Sequence, residues 1–160
     1  MSKYVLGHDS KGEGKRLALM SELLDPMHRR HIDSLDIVRP GARTLEVGCG
    51  NGSISAWLAE RVSPGGKAVA FDLDLSLIEV RAPNLELRQG DIVAGPVERG
   101  SFDLVTARAL CCIMLRMQKG RSKIWLQAYD PAARYYSLSL IFFLSVSPSR
   151  RRWERSGMDG

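Results

Sequence analysis

Leu45-Glu46-Val47-Gly48-Cys49-Gly50-Asn51-Gly52 is the stretch whose reading decides the fold. Arg43 to Val47 reads as a short strand, and Ser53 reads as the N-cap of a helix through Arg61 with Ile54, Trp57 and Leu58 on one face. Between them lie three glycines in five residues. Such a bend needs residues that reach unusual dihedrals and let a ligand approach the backbone closely. The helix start beyond it offers unpaired N–H groups and a partial positive charge, a setting that favours a carboxylate or another anion. Gly48, Cys49, Gly50, Gly52 and Ser53 are therefore the first candidate binding residues.

The pattern continues downstream. Ser63-Pro64-Gly65-Gly66 ends the helix, and Lys67 to Phe71 forms a second strand that closes on Asp72, 20 residues after Gly52. A short helix is predicted over Leu75 to Val80 and a third strand over Asn84 to Arg88, followed by Gly90-Asp91. Ser101 to Val105 leads into a fourth strand. Strands alternating with helices imply a parallel sheet with helices on both faces, an α/β fold. In such sheets ligands bind at the carboxyl ends of the strands, where Asp72 can accept hydrogen bonds from ribose hydroxyls. Upstream, residues 3–12 read as a polar arm. Glu13 to Leu24 reads as a helix with Leu17, Met20, Leu23 and Leu24 at helical spacing, and Asp25-Pro26 as the start of a second helix to about Leu35. His28 and His31 on that second helix are expected at the surface.

Four motifs in this order resemble the class I S-adenosylmethionine-dependent methyltransferases. Glu46 followed by Gly48-x-Gly50-x-Gly52 resembles their first motif, and the resemblance implies that Glu46 is a binding residue that helps order the bend and the cofactor's amino end. The resemblance implies that Asp72 holds the ribose and Leu73 packs on adenine. It implies that Asp91 takes the adenine amino group, with the adjacent backbone at Gly90 and Ile92. Phe102-Asp103-Leu104-Val105-Thr106-Ala107-Arg108 is similar to a later motif, which puts Ala107 and Arg108 beside the methionine moiety and the substrate. The implied fold is three-layer and Rossmann-like, and the implied cofactor is S-adenosylmethionine, with a small-molecule methyl acceptor. No catalytic base and no metal site is singled out. Tyr4 to His8 and Arg16-Leu17 resemble an arm that folds over the cofactor in a bacterial subgroup. A nicotinamide-dependent Rossmann enzyme is the rival reading, but its bend has the spacing G-x-G-x-x-G. A non-catalytic cofactor-binding remnant is the other.

The expected organisation is an N-terminal helical arm or lid (1–40), a cofactor-binding core (41–110) and a tail outside the family pattern (111–160). Hydrophobic residues at 44% suit one packed domain. The net charge of +5 does not mark a nucleic-acid surface. Residues 1–113 carry 14 Lys/Arg against 15 Asp/Glu, whereas residues 114–160 carry nine against three. No nucleic-acid or membrane partner is expected. The polar start and three unpatterned cysteines fit a reduced, cytoplasmic setting. After Ala109 the family pattern stops, so the C-terminal strands are expected to be incomplete or replaced, with about four strands kept and an uncovered sheet edge.

The expected cause is a shift of reading frame near Leu110, with a divergent C-terminus as the alternative. Read one base earlier, Cys112 and Tyr136 each force a leucine, and Asp130-Pro131-Ala132-Ala133-Arg134 permits Arg-Pro-Gly-Gly-Thr, the turn the family carries before its next strand. Sequencing the coding DNA across the Leu110 codon checks this reading. The expected outcome is codons that decode to that turn in the earlier frame, and codons that cannot do so end the idea.

Overall fold

The computed structural model describes residues 10–91, 102–108, 134–138 and 142–146. The elements are α1 (Ser10–Asp33), β1 (Arg43–Val47), α2 (Ser53–Val62), β2 (Lys67–Asp72), β3 (Leu85–Gln89), β4 (Leu104–Arg108), β5 (Arg134–Leu138) and β6 (Phe142–Val146). They form one six-stranded sheet in the order β3-β2-β1-β4-β6-β5. The first four strands run parallel, with Glu46 opposite Ala70 and Thr106 across the ladder. Strands β1, β2 and β4 are almost entirely buried. Of these, β2 (Lys67–Asp72) is near-continuously apolar, whereas β1 and β4 alternate apolar with buried polar residues.

The two sides of the sheet differ. Leu45, Val47, Val69, Phe71, Val105 and Ala107 belong to one apolar cluster. The alternate residues face α1 and α2. There Ala68 and Leu104 pack with Ile32, Ile54, Leu58 and Ala59, while Thr44, Glu46, Thr106 and Arg108 bury polar groups. Along β4 the helix-covered face is thus apolar at the start, Leu104, and polar towards the tip, Thr106 and Arg108.

Helix α1 departs from the expected pair of helices. It runs unbroken through Pro26. Proline removes one intrahelical donor, but Glu22 and Pro26 lie on the exposed side, where water can take the freed carbonyl. The inner face carries Ser21, Asp25, His28 and Ile32, all buried. These contacts flank the proline and hold one axis. The apolar spacing had placed Leu23 on the packed face; it is 77% exposed, with Leu19 and Met27 also exposed. His28, expected at the surface, is fully buried, and its Nε2 meets the Thr106 hydroxyl at 3.0 Å. Tertiary polar contacts, rather than the leucine stripe, choose the inner face.

Two shorter predictions are also corrected. Residues 75–80 form no helix. Asp74 Oδ1 accepts from the Ser76 N–H at 2.8 Å, and Ile78 N–H returns to the Leu75 carbonyl at 3.1 Å, making a turn. Six residues cannot repay helix nucleation against that local alternative. Helix α2 is capped by Gly52 in the left-handed region rather than by Ser53, which is its first helical residue. The expected open edge of β4 is paired as well: β6 runs antiparallel to it, Arg108 opposite Phe142 and Leu104 opposite Val146, and β5 pairs beyond.

Leu58→Ala is expected to lower unfolding free energy by about 2–5 kcal/mol, as for other fully buried leucines. Leu23→Ala is expected to change it by less than about 0.5 kcal/mol. Urea denaturation of both variants checks the assignment of faces; a larger loss at Leu23 contradicts it.

Candidate functional site

The carboxyl tips of β1, β2, β3 and β4 lie side by side in the sheet, and the predicted residues gather there. Gly48, Gly50 and Gly52 all have positive φ (73°, 55° and 80°), so the bend is of the kind only glycine makes without strain. The Gly48 N–H donates to the Phe71 carbonyl at 2.8 Å, which fixes the bend to the neighbouring strand.

Asp72 stands beside it. Its Oδ2 accepts from the Gly50 N–H at 2.8 Å and its Oδ1 from the Leu73 N–H at 2.7 Å. Thus the strand-tip acid and the glycine bend, 22 residues apart, meet directly. The Gly90 N–H donates to the Asp72 carbonyl at 2.9 Å, which sets Asp91 at the adjacent tip. Leu73 is exposed at the same rim. Asp72 and Asp91 therefore share one edge of the sheet, on neighbouring strands. Ile92, the arm residues Tyr4 and His8, and the tail cysteines lie outside the described residues.

The bend is not wholly bare. A β-carbon at Gly50 would lie 3.2 Å from Leu17 Cδ2 of α1, and one at Gly52 would lie 3.2 Å from Ile78 Cγ2. The glycines thus serve packing as well as dihedral freedom. Cys49 is buried beneath the bend, and burial pushes its thiol well above the usual range, so it is no nucleophile.

Glu46 points into the polar part of the helix-covered face. It is fully buried; one carboxyl oxygen takes the Ser55 hydroxyl, and the other, Oε1, has no hydrogen-bond partner among the described residues. Burial raises its pKa to about 8, with the Asp72 charge adding and the Ser55 hydrogen bonds opposing. The carboxyl is neutral at pH 7. His28 is pushed the other way, down to about 4, by burial and by neighbouring His31, and it is neutral too.

Ala107 and Arg108 end β4 with opposite orientations. Ala107 joins the apolar cluster on the far face. The Arg108 guanidinium is buried on the helix-covered face, paired with Asp25 and within 3.2 Å of the Ser21 hydroxyl and 3.5 Å of the Ser53 hydroxyl. Sequence reasoning placed Arg108 at the cofactor and missed Asp25, Ser21 and Asn51. The polar residues recurring at 21, 25 and 28 were the available signal.

The sequence matches the family described as "Methyltransferase domain" over residues 44–124, half of the chain and 14 residues beyond Leu110. It is 37% identical over 94 residues to nocamycin O-methyltransferase of Saccharothrix syringae, covering 54% of this chain and 33% of that protein. It is 35% identical over 74 residues to demethylmenaquinone methyltransferase of Lactococcus lactis, covering 41% of this chain and 29% of the other. The chain thus spans about a third of the length of these curated relatives. An assigned S-adenosylmethionine-dependent methyltransferase of Methanococcus maripaludis shares the fold, with a TM-score of 0.54 at 14% identity over 92% of this chain and 96% of that one. Motifs, fold and family match converge: the chain belongs to the class I S-adenosylmethionine-dependent methyltransferases.

Proposed function

We propose that this chain binds S-adenosylmethionine at the tips of β1 to β4 and serves methyl transfer to a small-molecule acceptor. The single observation that carries the reading is the Asp72 carboxylate, bonded to the Gly50 N–H and adjacent to Asp91 on the same sheet edge.

The residues fit the cofactor. A carboxylate has about four lone-pair positions. Asp72 commits two of them to backbone donors, which leaves acceptors for two ribose hydroxyls. Asp91 and exposed Leu73 suit an adenine amino group and ring. The start of α2 suits a carboxylate, since its first N–H groups have no intrahelical partner. Glu46 Oε1 is the buried carboxyl oxygen of the set with no hydrogen-bond partner among the described residues. When bound, the cofactor supplies a methyl group on a sulfonium cation for in-line displacement. This chain's residues bind and orient, with Leu17 of α1 standing close over Gly50 of the bend. The nocamycin and demethylmenaquinone relatives support a small-molecule acceptor. No helix among the described residues is long and apolar enough to cross a membrane, in keeping with a proposed cytoplasmic setting.

A second reading is a remnant that binds the cofactor without transferring methyl. Calorimetric titration with S-adenosylmethionine, followed by a radiolabelled methyl-transfer assay, separates the two. Asp72→Ala is expected to weaken binding at least tenfold, since each hydrogen bond to a charged group contributes about 1.5–3 kcal/mol. Unchanged affinity in that variant defeats the site as described.

Glu46 gives a pH test. In the folded chain it keeps its proton up to about pH 8, while the unfolded chain releases it near the ordinary value of 4.5. Between those values the unfolded state holds fewer protons, so this group's contribution to stability falls as pH rises. His28 acts oppositely, but only between about 4 and 6.5. From pH 6.5 to 8 wild type should therefore lose stability more steeply than Glu46→Gln. Urea midpoints across that window check it, and parallel slopes count against a neutral buried Glu46.

A further inference from the structure

Four elements meet in one buried polar cluster that the cofactor residues do not account for. From α1 come Ser21 and Asp25, both more than nine-tenths buried, with Arg29 at the rim. From the glycine bend comes Asn51, from the start of α2 comes Ser53, and from the tip of β4 comes Arg108, 8% exposed. Asp25 pairs with Arg108 through one carboxylate oxygen and faces Arg29 at 3.5 Å through the other. Arg108 donates to the Ser21 hydroxyl at 3.2 Å, and Ser21 in turn donates to Asn51 Oδ1 at 3.1 Å and lies 3.0 Å from the Ser53 hydroxyl. Asn51 Oδ1 also accepts from the Ser53 N–H at 3.4 Å, and Arg29 lies 3.5 Å from the Ser53 carbonyl. Every bond of the chain leads from the Asp25–Arg108 pair to the first residue of α2.

The placement matters because of strand order. The acids suited to an adenosyl group, Asp72 and Asp91, belong to the tips of β2 and β3. The cluster sits across β1, at the β4 tip. An extended cofactor anchored at β2 and β3 must run its other end over β1 towards β4, onto Asn51 and Ser53. Resting on the S-adenosylmethionine reading, we propose that Asp25 is a positioning residue: its buried ion pair with Arg108 braces Ser21, Asn51 and Ser53, and so selects for the amino-acid end of the cofactor. Arg108 then acts from beneath the site and does not touch the cofactor. Removing one partner of a buried pair leaves the other charge uncompensated. An unpaired Arg108 has to turn towards water or towards the site, and in either case the first turn of α2 loses its support.

The test compares two ligands in titration calorimetry, S-adenosylmethionine and 5′-methylthioadenosine, which keeps the adenosyl group but lacks the amino-acid end. Asp25→Asn is expected to weaken S-adenosylmethionine at least tenfold while methylthioadenosine stays within twofold. Ser21→Ala, which removes only a hydroxyl, should show the same selective loss at about threefold to tenfold and serves if Asp25→Asn fails to fold by circular dichroism. Equal weakening of both ligands, or none of either, overturns the brace while leaving the cofactor site standing. Failure of the wild-type chain to bind either ligand overturns the site reading itself, and the brace with it.

Discussion

The bond from the Gly50 N–H to the Asp72 carboxylate is the constraint on which the rest of the site depends. A glycine bend has little of its own to hold it: its glycines carry no side chains, and glycine gives up more conformational freedom on ordering than any other residue. Here the bend is held from β2, by the Phe71 carbonyl on Gly48 and the Asp72 side chain on Gly50. The same carboxylate then has lone pairs to spare at the sheet edge. One acid both shapes the turn and faces the ligand, so the geometry of the site is coupled to the register of β1 against β2, in which Val47 stands opposite Phe71.

A second constraint comes from the polar half of the helix-covered face. Four polar side chains on β1 and β4, Thr44, Glu46, Thr106 and Arg108, are buried there under two helices. An unpaired buried charge is costly, and the chain avoids it in two ways. Glu46 and His28 are pushed to their neutral forms. Arg108, which cannot shed its proton, meets Asp25. Helix α1 runs along this face with Ser21 near the β4 tip, His28 against Thr106 and Ile32 beside Leu104. Its polar residues thus match the polar end of the strand and its isoleucine the apolar end. Pro26 is tolerated because this matching fixes the helix on both sides of it.

The parallel core and its acids were legible because they obey local rules. The glycine spacing sits within five residues, and Asp72 and Asp91 each stand at or just past the end of a short strand. What sequence could not give is what depends on partners far along the chain. The inner face of α1 is set by Thr106 and Arg108, about 80 residues away, so the leucine spacing pointed to Leu23 and missed Asp25. The cap of α2 went to Gly52 because Ser53 is drawn to Ser21 and Asn51. The turn at 75–80 gave an apolar run that suits a helix, yet Ile78 is needed against Cys49 and Ala70, at the foot of the bend.

The end of the sheet shows how little the fold asks of the residues that close it. Identity to the curated relatives covers only about half of this chain, whereas the fold shared with the Methanococcus maripaludis protein covers 92% of it. Strand β4 leaves a row of backbone donors and acceptors on its outer side, and an unpaired edge next to a buried sheet is a liability. Any following segment with high strand propensity can satisfy that row, because the ladder is made by backbone groups and not by motif residues. Phe142-Phe143-Leu144-Ser145-Val146 meets this requirement antiparallel to β4, and β5 then continues the sheet. Sheet closure here therefore depends on composition, while the cofactor edge depends on named residues. The two ends of one sheet answer to different physical demands: the family match ends at residue 124, while the strand order continues through β5 and β6.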